Sequence, residues 1–252
     1  MITLKNPQQA AKMREAGHLL EEVLTAVCAA VEPGVTTRHL DQLAERLIRK
    51  AGAKPSFLGY QGFPASLCTS VDNVVVHGIP NDHPLREGSL IGLDCGLVLD
   101  GWQADMARTV AVGAIAPEAR RLMEVTEQCF FEALAVCRAG NRLGDIGHAV
   151  QAYAEAQGFS VVRDLCGHGI GRAMHEDPEV SNFGEPGHGM RLRAGMTLAI
   201  EPMINAGGYA VHMDGWDVTT QDGSLSAHYE NTVLITAEEP EILTMRMMRA
   251  RG

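Results

Sequence analysis

No stretch of this sequence approaches the roughly 20 consecutive apolar residues that a membrane-spanning helix needs. The opening MITLKNPQQAAKMREAG is polar where a secretory signal would carry an apolar core. A cytoplasmic location without a membrane partner is therefore expected. A basic excess is lacking too: 21 Lys and Arg face 31 Asp and Glu, giving a net charge of −10 with histidine neutral. Nonspecific affinity for nucleic acid is disfavoured, because it depends on Lys/Arg patches, and no nucleic-acid motif is present. Six cysteines (Cys28, Cys68, Cys95, Cys129, Cys137 and Cys166) form no CxxC pair. Without an export signal they read as reduced thiols, not as a disulfide framework. No linker rich in Pro, Gly or Ser divides the 252 residues. The chain reads as one domain, 1–252.

What is present is a repeat. Residues 85–94 read LREGSLIGLD and residues 192–201 read LRAGMTLAIE. In both, Leu, Arg and Gly recur in register and an apolar run ends in a carboxylate, so Asp94 and Glu201 are counterparts. Upstream, PGVTTRHLDQLAERLIRKAG (33–52) matches AGNRLGDIGHAVQAYAEAQG (139–158), with two glycines 18 residues apart in each. His77-Gly78-Ile79 and His168-Gly169-Ile170 follow in the same order. Three blocks in one order argue for internal duplication, with halves of about 1–112 and 113–252.

Asn6 before Pro7 reads as a helix N-cap with Pro in the first turn. Helices are predicted from there to about Val31, from Thr36/Thr37 to Gly52, and over 117–138 and 143–157. Strands are predicted over 66–76, 89–98, 103–112, 196–204, 209–219 and 227–236, with a hairpin turn at Asp100-Gly101. The layout is α+β: two pseudo-two-fold helix–helix–strands halves around a central antiparallel sheet.

The turn sets Asp105 opposite Gly96, so Asp94 and Asp105 point to one face of the hairpin, near enough to converge on one ion. Asp94 interrupts the apolar SLIGLDCGLVL and Glu201 the apolar MTLAIEPM. A carboxylate buried there is costly unless it meets a cation. Glu230, in AHYENTVLI, and Asp105, in QADMARTVAV, open comparable apolar runs. His168 in CGHGIG adds an imidazole on what reads as a glycine-rich turn. The GHGIG run lacks the Lys-Ser/Thr ending of a phosphate loop. Taken alone, a strand Asp is usually a cap or ion-pair residue and a loop His is usually structural. As a set, four carboxylates carry four negative charges, which two divalent ions balance and one does not. Such ligands suit Mn, Fe, Co or Zn, and lack the thiolates of structural zinc. Paired metals are a device of hydrolases, aminopeptidases among them.

At these residues the sequence resembles the type I methionine aminopeptidases over essentially its whole length. The resemblance is carried by GYQGFPASLCTSVDNVVVHGIP, LDCGLVLDGWQADMARTV, VVRDLCGHGIGRAMHEDP, AGMTLAIEPMINAG and SLSAHYENTVLIT. It implies the pita-bread fold and two divalent metals (Mn, Fe, Co or Zn) on Asp94, Asp105, His168, Glu201 and Glu230. Asp105 and Glu230 would bridge them, and Glu201 would also be the general base. It further implies that His175 stabilises the oxyanion at the scissile carbonyl, that His77 contacts the next amide nitrogen, and that Tyr60, Phe63, Cys68, Met174 and Trp216 line the methionine pocket. The expected activity is removal of the initiator methionine from nascent polypeptide N-termini whose second residue is small, by a monomer in transient contact with the ribosome. Phe57, Phe63, Met174 and Ala199 depart from the common bacterial pattern of the family without touching a ligand. One alternative is an Xaa-Pro aminopeptidase or dipeptidase of the same fold, for whose usual extra N-terminal domain this chain is too short. Another is a non-catalytic binding protein of the fold, which would typically have lost ligands.

Overall fold

The computed structural model describes residues 2–246. Its elements follow the duplicated order. Helices α1 (Pro7–Ala29) and α2 (Thr37–Lys50) precede strands β1 (Lys54–Pro55), β2 (Leu67–Val71), β3 (Val74–Val76), β4 (Leu90–Leu99) and β5 (Trp102–Ala111). Helices α3 (Pro117–Val136) and α4 (Leu143–Ala156) precede β6 (Ser160–Val161), β7 (Cys166–Gly169), β8 (Glu176–Ser181), β9 (Thr197–Ile200) and β10 (Met203–Asn205). The chain continues through β11 (Val211–Asp214), β12 (Asp217–Thr220), β13 (Ser226–His228), β14 (Glu230–Leu234) and β15 (Glu241–Ile242).

Local chemistry sets the helix starts. Asn6 Oδ1 accepts from Gln9 N–H at 2.9 Å while Gln9 Oε1 accepts from Asn6 N–H at 3.0 Å, a reciprocal cap ahead of Pro7. Thr36 caps α2 through His39 N–H, and Asp145 in the first turn of α4 accepts from Arg142 N–H. Helix α1 buries Met13, Leu20, Val23, Leu24 and Val27. Each such side chain contributes roughly 1.5–3 kcal/mol when fully buried.

The central sheet runs β1-β4-β5-β14-β9-β7-β8, with β2 also on β4 and β15 on β14. All its pairings are antiparallel, as expected. Two small sheets, β13-β10-β6 and β11-β12-β3, flank it. One apolar cluster joins α1 and α2 to β2, β4 and β5; another joins α3 and α4 to β9, β13 and β14. Strands β5 and β14 meet at the centre, so the seam between the repeats runs through the middle of the sheet.

The predicted long strands are broken at specific residues. The 66–76 run turns at Asp72 (φ 54°), dividing β2 from β3. The 196–204 run breaks at Glu201-Pro202, because Pro has no N–H for a ladder, and β10 leaves for another sheet. The 209–219 run folds into a hairpin at Gly215-Trp216. The 227–236 run breaks at Tyr229 between β13 and β14. His168 lies in β7, not on a turn; the turn occupies the residues after Gly169. The glycines flanking His168 serve close packing: a Cβ at Gly167 would lie 2.3 Å from Ala199 O, and one at Gly169 2.1 Å from Asp177 O.

Candidate active site

The register of the central sheet sorts the acids into two rows on one face. Asp94 in β4 and Glu230 in β14 both stand directly opposite Ala107 of β5, one from either side. Glu201 follows Ile200, which pairs with Asn231, and so continues that row. In the second row Gly96 stands opposite Asp105, and His168 opposite Ala199, which pairs with Thr232. Side chains at i and i+2 of a strand share a face, so the rows lie side by side. Small residues alternate with the ligand-type ones, and Gly96, Ala107 and Ala199 leave the space in which the longer side chains converge. Asp105, His168 and Glu230 offer donor atoms within 4.8 Å of one another, as do Asp94, His228 and Glu230. His168 Nε2 lies 3.8 Å from Asp105 Oδ2 and 3.7 Å from Glu201 Oε1.

The cluster is electrostatically unbalanced on its own. Burial drives the carboxyls of Asp94, Asp105, Glu201 and Glu230 above their ordinary range. Mutual repulsion adds to this at Asp105, Glu201 and Glu230. Burial, with His175 alongside, pushes His168 down to about 4, so its imidazole is neutral near pH 7. Among the described residues, the buried side-chain atoms without a hydrogen-bond partner include three at this cluster: Asp94 Oδ1, Glu230 Oε1 and His228 Nε2. Unsatisfied carboxylate oxygens and a neutral imidazole nitrogen facing one centre are the donor set of a divalent cation site. The residues present therefore fit a metal.

A cleft reaches this face, lined by Phe57, Tyr60, Gln61, Phe63, Cys68, His77 and Trp216 beside the acids, His168 and His175. Cys68 of β2 pairs with Asp94 across the ladder. Burial, then the charge of Asp94, raises its thiol well above the ordinary value, so it is a neutral sulfur wall. Phe63 and His77 each meet the Trp216 ring edge-on, at centroid distances of 5.2 and 6.2 Å. His77 holds φ 63°, a left-handed conformation that a bulky residue rarely adopts, which concentrates backbone strain at the cleft. Burial, then His175, lowers its pKa. Tyr60 Oη lies 2.7 Å from His175 Nδ1, and the His175 ring sits 4.2 Å from that of His168.

Of the residues expected to line the pocket, Met174 does not. It is buried behind the wall, packed with Phe57 over Gly96. Phe57 and Gln61 take part in the lining instead. Sequence reasoning also missed His228. Its Nε2 lies 3.6 Å from Glu201 Oε2 and 3.8 Å from Glu230 Oε2, and burial pushes it down to about 3. Its place two residues before Glu230 was the available signal.

A family model described as metallopeptidase family M24 matches residues 11–237. A protein of Clostridium perfringens (strain 13 / Type A) named methionine aminopeptidase is 54% identical over 247 residues, 97% of this chain and 99% of that one. The crystal structure of methionine aminopeptidase from Rickettsia prowazekii superposes with a TM-score of 0.96 at 45% identity, covering 97% of this chain and 100% of that one. The prolidase from Pyrococcus horikoshii OT3 superposes with a TM-score of 0.79 at 21% identity, over 98% of this chain and 64% of the prolidase, a likeness of fold.

Proposed function

The chain belongs to metallopeptidase family M24, and from that premise we infer that it hydrolyses the N-terminal methionine from peptides and nascent proteins, using a divalent-metal centre. The observation that carries the reading is the double row on the sheet face, where four carboxylates and His168 converge beside a cleft walled by aromatic rings and a thiol. An apolar, sulfur-bearing lining suits a flexible thioether side chain.

Asp94, Asp105, His168, Glu201 and Glu230 would hold two divalent ions of the Mn, Fe, Co or Zn class. When bound, such ions supply Lewis-acid activation of water and of the scissile carbonyl. The protein's own part is proton transfer and orientation. Glu201 takes the proton of the attacking water on a carboxylate oxygen and returns it to the departing amine. Tyr60 Oη lies 2.7 Å from His175 Nδ1; with the hydroxyl as donor, the neutral imidazole carries its proton on Nε2. That N–H is then a donor for the oxyanion that develops at the carbonyl. His77, held against Trp216, contacts the amide nitrogen of the second residue. Tyr60, Phe63, Cys68 and Trp216 hold the methionine side chain, with Met174 backing the wall.

Action in the cytoplasm on nascent chains, as a monomer in transient contact with the ribosome, belongs to the same proposal. Among the described residues no helix is long and apolar enough to cross a membrane. The test is cleavage of Met-Ala-Ser against Met-Leu-Ser by protein loaded with Mn, Co or Fe, together with metal analysis. Release of methionine from Met-Ala-Ser only, with two ions bound per chain, is the expected result. Folded, metal-loaded protein that cleaves neither peptide sinks the reading.

A further inference from the structure

The N-terminal segment passes beside the loop that carries His175. Lys5 is buried in that passage. Its N–H donates to Gly195 O at 2.7 Å, and its Nζ donates to Thr3 O at 3.1 Å and to Glu176 Oε2 at 2.8 Å. Glu176 directly follows His175. Its other oxygen, Oε1, accepts from the backbone N–H groups of Arg172 at 2.7 Å and Ala173 at 3.2 Å. The segment between Ile170 and His175 is thus wrapped around one carboxylate, which Lys5 holds from behind. Gly171 makes the room. A Cβ there would lie 2.6 Å from Glu176 Oε1 and 2.6 Å from Lys5 Cε.

We propose that Lys5 and Glu176 are positioning residues for His175, so that the N-terminal segment forms part of the catalytic apparatus. The proposal rests on the oxyanion role inferred for His175. The ring of His175 is held at one end by Tyr60, and the loop leading to it is held by the Glu176 carboxylate through the backbone of Arg172 and Ala173. Removing Lys5 leaves a half-buried carboxylate with only two amide donors, an arrangement that relaxes by moving the loop. The donor Nε2 then shifts from the point where negative charge develops. A shift of about 1 Å in a reacting group can cost on the order of 10²-fold in rate. Ground-state binding, which depends on the aromatic pocket, is left in place.

The experiment measures kcat and KM for Met-Ala-Ser with metal-loaded wild type, K5M, K5R, E176Q and H175A, and with the double variant K5M/H175A. Metal content, melting temperature and the ring nitrogen shifts of His175 are recorded on the same samples. K5M and E176Q are expected to lower kcat by about 10–100-fold with KM and metal content unchanged, and to move the His175 shifts. K5R is expected to recover most of the loss. In the H175A background, K5M should cost nothing further, because two groups acting through one atom are not additive. An unchanged kcat in both K5M and E176Q overturns the proposal. So does an equal K5M effect with His175 absent, or a loss of rate that merely tracks lost metal or lost fold. E176Q, nearly isosteric, carries the test if K5M does not fold. Wild type that fails to cleave Met-Ala-Ser is the separate failure of the functional reading itself.

Discussion

The hydroxyl of Thr232 bridges both backbone groups of Asp105, accepting from its N–H at 3.1 Å and donating to its carbonyl at 3.0 Å. The bridge lies on the seam between the repeats. There the β5–β14 ladder pairs only Ala107 with Glu230 and Met106 with Asn231, and the hydroxyl carries the connection one residue further. Arg108 reinforces the same seam, donating from Nη1 to Glu230 O at 2.7 Å and from Nη2 to Asn231 Oδ1 at 2.8 Å. The backbones of two proposed ligands, Asp105 and Glu230, are therefore joined by side chains where ordinary sheet pairing gives out.

Thr232→Val keeps the shape and removes the bridge. It leaves a buried N–H and carbonyl of Asp105 unpaired, a loss of about 1–3 kcal/mol. Thr232→Ser should keep most of the stability. Denaturant melts of the metal-loaded proteins check the order wild type, Ser, Val. A valine variant as stable as wild type would show that the seam does not depend on this hydroxyl.

Metal removal should change how stability responds to pH. Burial, aided by mutual repulsion, raises the carboxyl pKa values of the cluster in the folded chain. Above the ordinary carboxylate pKa of about 4, these carboxyls therefore bind more protons in the folded apo protein than in the unfolded chain, and this excess outweighs the opposite contribution of His168 and His228, whose proton affinity burial lowers. Stability consequently falls as pH rises through that window. Chelated protein should melt lower at pH 7.5 than at pH 5.5. Metal at 100-fold its Kd should add about 2.7 kcal/mol, or about 2–4 °C per kcal/mol in a chain of this size, and should flatten the slope. Calorimetry at the two pH values, with and without Mn, reads this directly. An apo protein that gains stability towards pH 7.5 would contradict it.

Glu201→Gln separates the proton-transfer role of Glu201 from its ligand role. The amide keeps an oxygen ligand but cannot take a proton. We expect kcat to drop by about 10²–10⁴-fold while metal stays bound at the wild-type ratio. Turnover on Met-Ala-Ser and metal analysis of one preparation check both halves. Loss of metal in step with turnover would make Glu201 a ligand only.

How much of this was legible in the chain depends on the range of each interaction. The hairpin placing Asp94 and Asp105 on one face is local. Asp100 and Gly101 adopt φ 51° and 75°, a turn their side chains favour, and Gly96 does face Asp105. Glu201 became readable through the repeat, because its own strand ends at Pro202 and carries no alternation beyond it. His228 was hidden by the break at Tyr229, which puts it in a different sheet from Glu230. The Lys5–Glu176 pair joins residues 171 apart in sequence, so no local pattern announces it. Resemblance alone puts Met174 in the pocket lining. Its place behind the wall follows from Gly96, whose missing side chain lets the thioether lie against β4.

That packing yields a test of the pocket wall. A Cβ on Gly96 would lie 2.7 Å from Met174 Cε, 2.9 Å from Phe57 Cε1 and 3.1 Å from Ser56 Cβ. The thioether end can swing aside, but the Phe57 ring cannot without entering the cleft it lines. Gly96→Ala should therefore overpack the wall, with a penalty of about 1–3 kcal/mol divided between stability and substrate binding. KM for methionyl peptides should rise while kcat falls less, since the acids and His175 do not move. Shortening the neighbour should relieve the strain. Gly96→Ala combined with Met174→Ala is expected to recover part of the KM that Gly96→Ala alone loses, which additive damage would not do. Steady-state kinetics on the two single variants and the double variant decide the matter. If the double variant binds worse than either single one, Met174 is not what the new methyl group collides with, and the wall is set by Phe57 alone.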